Sequence, residues 1–109
     1  MMQTLLFPVR DLDAAKAVFT ALLGDPASDE PYYVYYQDGD LHVGLVPGGH
    51  DQGMSGPVPH WHVDDIAVTI ATLEAAGATC TSQPRDVGGG RLVANVTDAD
   101  GNPIGLIQG

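Results

Sequence analysis

The 109-residue chain has one cysteine, Cys80, only four Lys and Arg together, and no apolar run near the roughly 18 residues a membrane-crossing helix needs. A lone cysteine excludes an internal disulfide and points to a reducing compartment. No basic stretch precedes an apolar one at Met1-Met2-Gln3-Thr4, so a secretory signal is not expected and the expected location is cytoplasmic. The four basic residues face fourteen Asp and Glu, for a formal charge of −10. Such a surface gains no counterion release on a phosphate backbone and is repelled by anionic lipid, which excludes nucleic acid and membrane as partners. The acids are scattered along the chain and serve solubility. There is no Gly-x-Ser-x-Gly elbow for a serine hydrolase. Gly88-Gly89-Gly90 lacks the lysine and following helix of a phosphate loop, and reads as a mobile hairpin tip able to act as a lid. Cys80 has no basic neighbour or helix start to activate it, so a catalytic thiol is not supported.

What is present is a soluble globular composition, 44% hydrophobic and 17% charged, enough for one domain that buries about two-thirds of its unfolded surface. Thr4–Val9 reads as a strand. Asp11 caps a helix whose inward face is Leu12, Ala15, Phe19, Leu22 and Leu23, ended by Gly24 and Pro26. Tyr32–Gln37 reads as a strand, Asp38-Gly39 as a hairpin turn and Leu41–Val46 as the return. Residues 48–57, rich in Gly, Pro and polar side chains, form a linker.

The order then repeats. Pro59–Val63 is a strand, and Asp64 or Asp65 caps a helix with Ile66, Ile70 and Leu73 inward, closed by Gly77. Strands are expected at Ala78–Ser82, Arg91–Thr97 and, after the turn Asp98–Asn102, at Pro103–Gln108. Val9-Arg10-Asp11-Leu12 matches Val63-Asp64-Asp65-Ile66, and Val43-Gly44-Leu45-Val46 matches Ile104-Gly105-Leu106-Ile107. Two repeats are too few for a solenoid. The expectation is a single α+β domain, residues 1–109, of two βαβββ modules (1–47 and 58–109). Their curved mixed sheets form a cup, with the helices outside.

These repeated stretches, with the closing Asp98-Ala99-Asp100-Gly101-Asn102-Pro103-Ile104-Gly105-Leu106-Ile107, resemble the vicinal oxygen chelate superfamily, the glyoxalase/bleomycin resistance/dioxygenase group. The resemblance spans nearly the whole chain. It implies a cup holding a divalent metal through His, Glu or Gln at four positions, which fall on Thr4, Gly44, Val58 and Gly105. None of these is a strong ligand, so no metal or other cofactor is expected. A rival set exists in His42, His60 and His62, which strand alternation places on the cup-facing side. Three imidazoles suit zinc, yet no carboxylate on these strands would orient them, and they read instead as pocket-lining groups.

Tyr32, Tyr33, Tyr35 and Tyr36 are the densest aromatic patch. Tyr33 and Tyr35 share one strand face and Tyr32 and Tyr36 the other, so one pair offers a stacking wall or a dimer contact. Trp61 alternates with His60 and His62 and is expected in the core under the second helix, as are Phe7 and Phe19. Among Arg10, Arg85 and Arg91, Arg91 opens a strand beside the glycine turn and is a candidate for an anionic ligand group. The expected function is binding of a small, partly aromatic molecule without a conventional metal site, by His42, His60, His62, Tyr33, Tyr35 and Arg91. The alternative is a lyase, isomerase or dioxygenase-type enzyme using the histidines, with or without metal. A homodimer is expected from the family habit and from the sheet edges that so small a chain leaves.

Overall fold

A computed structural model describes residues 2–109. The chain is α+β and divides into two compact units, Gln3–Val58 and Pro59–Gly109, the latter joined by Met2. The first is built from β1 (Met2–Val9), α1 (Leu12–Leu23), β2 (Ser28–Glu30), β3 (Tyr33–Asp38) and β4 (Leu41–Pro47). Its strand order is β2-β3-β4-β1, with β1 parallel to β4 and the other neighbours antiparallel. The second contains β5 (Val58–His62), α2 (Ile66–Ala75), β6 (Thr79–Asp86), β7 (Leu92–Thr97) and β8 (Pro103–Gln108). Its order is β6-β7-β8-β5, with β5 parallel to β8 and the other neighbours antiparallel. Each unit is thus the same βαβββ module. Among the described residues no helix is long and apolar enough to cross a membrane.

Both helices start on an aspartate. Asp11 is extended and accepts a hydrogen bond from the Ala14 backbone N–H (3.0 Å), and Asp65 does the same for Val68 (3.1 Å), which decides between Asp64 and Asp65. Gly24, at φ +88°, ends α1 while its N–H reaches Thr20 O (2.9 Å). The inward stripe of α1 is Leu12, Ala15, Phe19 and Leu23, packed with Phe7 and Val9 onto buried Val34, Tyr36, Val43 and Leu45. Leu22 does not join it: its side chain is 72% exposed, because the stripe is narrow and position 22 has rotated past its edge. Phe7 and Phe19 meet at 5.0 Å between ring centroids, as core residues should.

The core of the second module is Ile66, Ile70, Ala94, Val96 and Leu106, with Leu73, Ala78, Cys80, Leu92 and Ile104 around it. Burial of each large side chain contributes about 1.5–3 kcal/mol. Gln108 ties the end of β8 to α2 by accepting from the Ile66 N–H (2.8 Å). The turn into β8 is organised by Asp98, whose carboxylate accepts from the backbone of Asp100 and Asn102 and from the Asn102 side chain. The Asn102 side-chain bond, first among these, holds its carboxyl below the usual range.

Besides offsets of one or two residues in β1, β4, β5 and β7, the strands differ from expectation in three places. The short edge strand β2 was not anticipated, since Ser28-Asp29-Glu30 carries no apolar signal; its pairing with β3 and the Lys16–Asp29 ion pair (3.1 Å) hold it. The strand expected to begin at Tyr32 begins at Tyr33, and Tyr32 is exposed in the preceding turn. The strand expected at Ala78–Ser82 runs instead from Thr79 to Asp86. Pro84 lies within it because β6 is an outer strand whose register shifts twice, between Cys80 and Ser82 and between Ser82 and Arg85.

Candidate functional site

Strand alternation gives each sheet a face under its helix and a helix-free face. In the first module Val34, Tyr36, Val43 and Leu45 lie under α1, so Tyr33, Tyr35, His42 and Gly44 lie on the other side. The question of the tyrosines is settled here. Tyr36 is 1% exposed and its hydroxyl hydrogen-bonds Thr20 Oγ1 (2.9 Å) and the Lys16 carbonyl (3.2 Å), a core role. Tyr33 and Tyr35 form the helix-free pair. Register sets Gly44 opposite Tyr35 and beside Leu6, and His42 opposite Gln37 and Thr4.

These side chains make one aromatic group. The Tyr33 hydroxyl hydrogen-bonds His42 Nε2 at 2.7 Å. The His42 ring stacks on Tyr35 at 4.1 Å between centroids and 21° between planes. Tyr33 lies 5.9 Å from the same imidazole and 6.1 Å from Tyr35. The hydroxyl of Tyr33 sits where a side chain at Gly44 would begin, and the Leu6 methyl closes the gap from the β1 side.

The second module repeats the device with different chemistry. His60 on β5 pairs in register with Gly105 on β8, and its imidazole covers the glycine so closely that a Cβ there would fall within the ring. His60 is 3% exposed. The same row continues through Asn95 to Ser82, and the next runs His62, Ile107, Val93, Arg85. Burial lowers the His62 pKa from its ordinary value, and the nearby Arg91 charge lowers it further. Arg85 Nη1 donates to Ser82 Oγ (2.6 Å). Arg91 follows the turn at Gly88, Gly89 and Gly90, all at positive φ, where Val87 N–H bonds Arg91 O and Arg91 N–H bonds Gly88 O.

The six residues named from sequence therefore fall into two groups. Tyr33, Tyr35 and His42 are brought together on the first module, and His60, His62 and Arg91 share the helix-free side of the second. Trp61 is a correction. It does face α2, but it is 37% exposed and borders an open apolar hollow of about 320 Å³ with Val63, Thr69, Leu73, Ile104 and Leu106. Sequence reasoning passed over Arg85 in favour of Arg91 and missed Ser82, because the register shifts in β6 change which residues face which way. It also missed that rings fill the spaces above the two glycines.

The residues do not fit the divalent metal that the family resemblance implies. Gly44 and Gly105 supply no donor, and the volume a ligand side chain would need is taken by the Tyr33 hydroxyl and the His60 imidazole. Val58 is a buried apolar residue, and Thr4 offers one weak hydroxyl. Among the described residues, no group of three or more His, Cys, Asp or Glu could hold a metal ion.

Comparison with known proteins agrees with this architecture. The family model described as Glyoxalase/Bleomycin resistance protein/Dioxygenase superfamily matches residues 2–106. A superfamily member of that description from Vibrio splendidus aligns with a TM-score of 0.74 at 17% identity, 100% of each chain being covered. The structure titled NAD-dependent benzaldehyde dehydrogenase from Legionella pneumophila gives 0.78 at 14% identity, covering 96% of both chains. A Mn(II)-bound glyoxalase from Novosphingobium aromaticivorans gives 0.69 at 20% identity, covering 98% of this chain and 38% of that one. At such identities the likeness is one of fold. No curated protein matches the chain by sequence.

Proposed function

The chain belongs to the Glyoxalase/Bleomycin resistance protein/Dioxygenase superfamily, and from that premise we propose that it binds a small, partly aromatic molecule without a conventional metal site. The observation that carries this reading is the filling of the space at Gly44 and Gly105 by the Tyr33 side chain and the His60 imidazole, which leaves no room for a donor side chain at either position. The Tyr35–His42 stack offers a flat wall to a ligand ring, and the Tyr33–His42 hydrogen bond fixes the polar edge of that wall. On the second module, His62 and the exposed Arg91 would supply polar contacts, His60 being buried against Gly105.

The test is titration of chelator-treated protein with flat aromatic compounds, followed by NMR at the Tyr33, Tyr35 and His42 side chains. Binding should move these resonances with no metal added. A broad antibiotic and metabolite panel that leaves them and the melting temperature unmoved overturns the proposal.

A second reading has one observation in its favour. His62 is biased toward its neutral form by burial and by Arg91, the state a general base requires. A lyase, isomerase or dioxygenase-type reaction would use it so. Metal retained by the purified protein, or turnover abolished by His62→Gln, selects that reading. We also propose a cytoplasmic homodimer; light scattering at a monomer mass removes the dimer.

A further inference from the structure

Cationic side chains are scarce, and their placement is uneven. Of the three arginines, Arg85 lies on the helix-free face of the second module, in the row Arg85–Val93–Ile107–His62. Arg91 stands two residues before Val93, one row further along, with its Cα beside Gly109. His62 ends the shared row, and His60 is its neighbour on β5. The rows contain no Asp or Glu. Asp86, the one acid in β5–β8, pairs with Leu92 and so points to the α2 side, where its carboxylate accepts from Gly88 N–H. In a chain with fourteen acids, β5–β8 and the turn leading into β7 hold two of the four Lys and Arg and a single acid.

Neither arginine is spent elsewhere in the module. Among the described residues the ion pair present is Lys16–Asp29, and neither Arg85 nor Arg91 has a carboxylate partner. Arg85 is held by Ser82 Oγ, which leaves most of its fork available. That Arg91 charge is felt at the His62 imidazole agrees with the register. Guanidinium donors in a planar fork match the two oxygens of a carboxylate, whereas a net charge of −10 opposes a dianion.

We propose that this patch, Arg85 and Arg91 with His62, binds the carboxylate of a small organic acid. It rests on the reading of the protein as a small-molecule binder and makes the ligand an acid, not merely an aromatic. Both arginines are exposed, so salt weakens the contact and the carboxylate adds selectivity more than raw affinity.

The experiment titrates the whole chain with benzoate, benzamide, acetate and inorganic phosphate, following the His62 ring and Arg91 amide signals by NMR. Benzoate should bind about tenfold tighter than benzamide, the scale of one charge-assisted hydrogen bond. Arg91→Ala should remove that difference, and Arg91→Lys should keep part of it. A melting curve like that of the parent shows that each variant is folded. Acetate shifting both signals while benzamide leaves them unmoved supports the carboxylate patch. Benzamide binding as well as benzoate overturns the patch and leaves the aromatic reading standing. Phosphate binding more tightly than acetate overturns the assignment to a carboxylate, and silence of both signals to benzoate and acetate overturns the patch itself.

Discussion

The two modules share a topology, an aspartate-capped helix and a glycine on the strand parallel to their first, yet they fill the space over that glycine differently. In the first module the filler is the far end of a tyrosine from a diagonal position on β3, with Leu6 beside it. In the second it is the body of an imidazole directly opposite on β5. The first face becomes a stacked aromatic group, and the second becomes imidazole and guanidinium. The duplicated fold fixes where side chains point, and single positions then decide what chemistry points there.

The helix sides differ as well, and there the largest effects are expected. Leu45 is sealed under α1, with Val34, Tyr36 and Val43 around it. Leu106 is equally buried by area but borders the open hollow next to Trp61. Leu45→Ala should cost about 4 kcal/mol, toward the upper part of the range for buried leucines, since its cavity has no outlet. Leu106→Ala should cost about 2–3 kcal/mol, because the lost volume merges with space that water already reaches. Urea denaturation of both variants checks the order; a larger loss for Leu106→Ala would mean that the hollow closes in solution.

Next come the glycines themselves. Gly105→Ala drives a methyl into the His60 ring, whose attachment to β5 leaves little room to yield, and overpacking of this kind costs about 1–3 kcal/mol. Gly44→Ala meets the tips of Tyr33 and Leu6, which can swing, so its cost should stay below about 1 kcal/mol. His60→Ala combined with Gly105→Ala should recover much of the loss, a coupling that a double-mutant cycle reads directly. Additive losses at positions 60 and 105 would show that the ring does not occupy that space.

How much of this was legible in the sequence follows from which signals are local. Asp11, Gly24, Gly77 and the 3.6-residue spacing act within a turn or two, so the helices and their caps could be read. The repeat was visible because Val43-Gly44-Leu45-Val46 and Ile104-Gly105-Leu106-Ile107 align without gaps. Leu22 was misplaced because spacing gives the centre of an apolar stripe better than its width. β2 and the far end of β6 owe their existence to the neighbouring strand, through pairing and register shifts that no local pattern encodes. That His42, His60 and His62 share a strand face follows from alternation, whereas which tyrosine pair lies on the helix-free side, and how the residues group, were not readable. Tyr33 reaches His42 only through the pairing of β3 with β4, and Arg85 joins His62 across three strand pairings.

The aromatic group of the first module is the next contrast to sharpen. Tyr33→Phe keeps the ring but removes the 2.7 Å hydrogen bond to His42. The expected loss is about 1 kcal/mol, the net worth of one such bond, with a changed Nε2 resonance at His42. The ring stack on Tyr35 should survive and hold the imidazole in place. An unchanged Nε2 signal would mean that the bond is not populated in solution.

The smallest effect belongs to the second module and concerns His62. Burial is the larger cause of its lowered pKa and Arg91 the second, so its midpoint should lie below 6.5, and Arg91→Gln should raise it only part of the way back. The groups around it on the helix-free side are His60 on the same strand, Arg85 in the same row and Arg91, while β8 contributes uncharged Ile107. Of these groups, Arg91 is the one whose charge resists a proton on His62. Above pH 6.5 folded and unfolded chains both hold His62 neutral, and stability is unaffected. As pH falls below 6.5 the unfolded chain takes up a proton that the folded one still refuses, so stability declines until the folded midpoint is passed, and the penalty is constant beneath it. A carboxylate seated on the patch reverses the sign: it favours the imidazolium, raises the midpoint and tightens as the pH drops through it. A His62 midpoint at or above 6.5 in the free protein, followed by NMR, would remove this account, and a full return to 6.5 in Arg91→Gln would assign the whole effect to charge instead of burial.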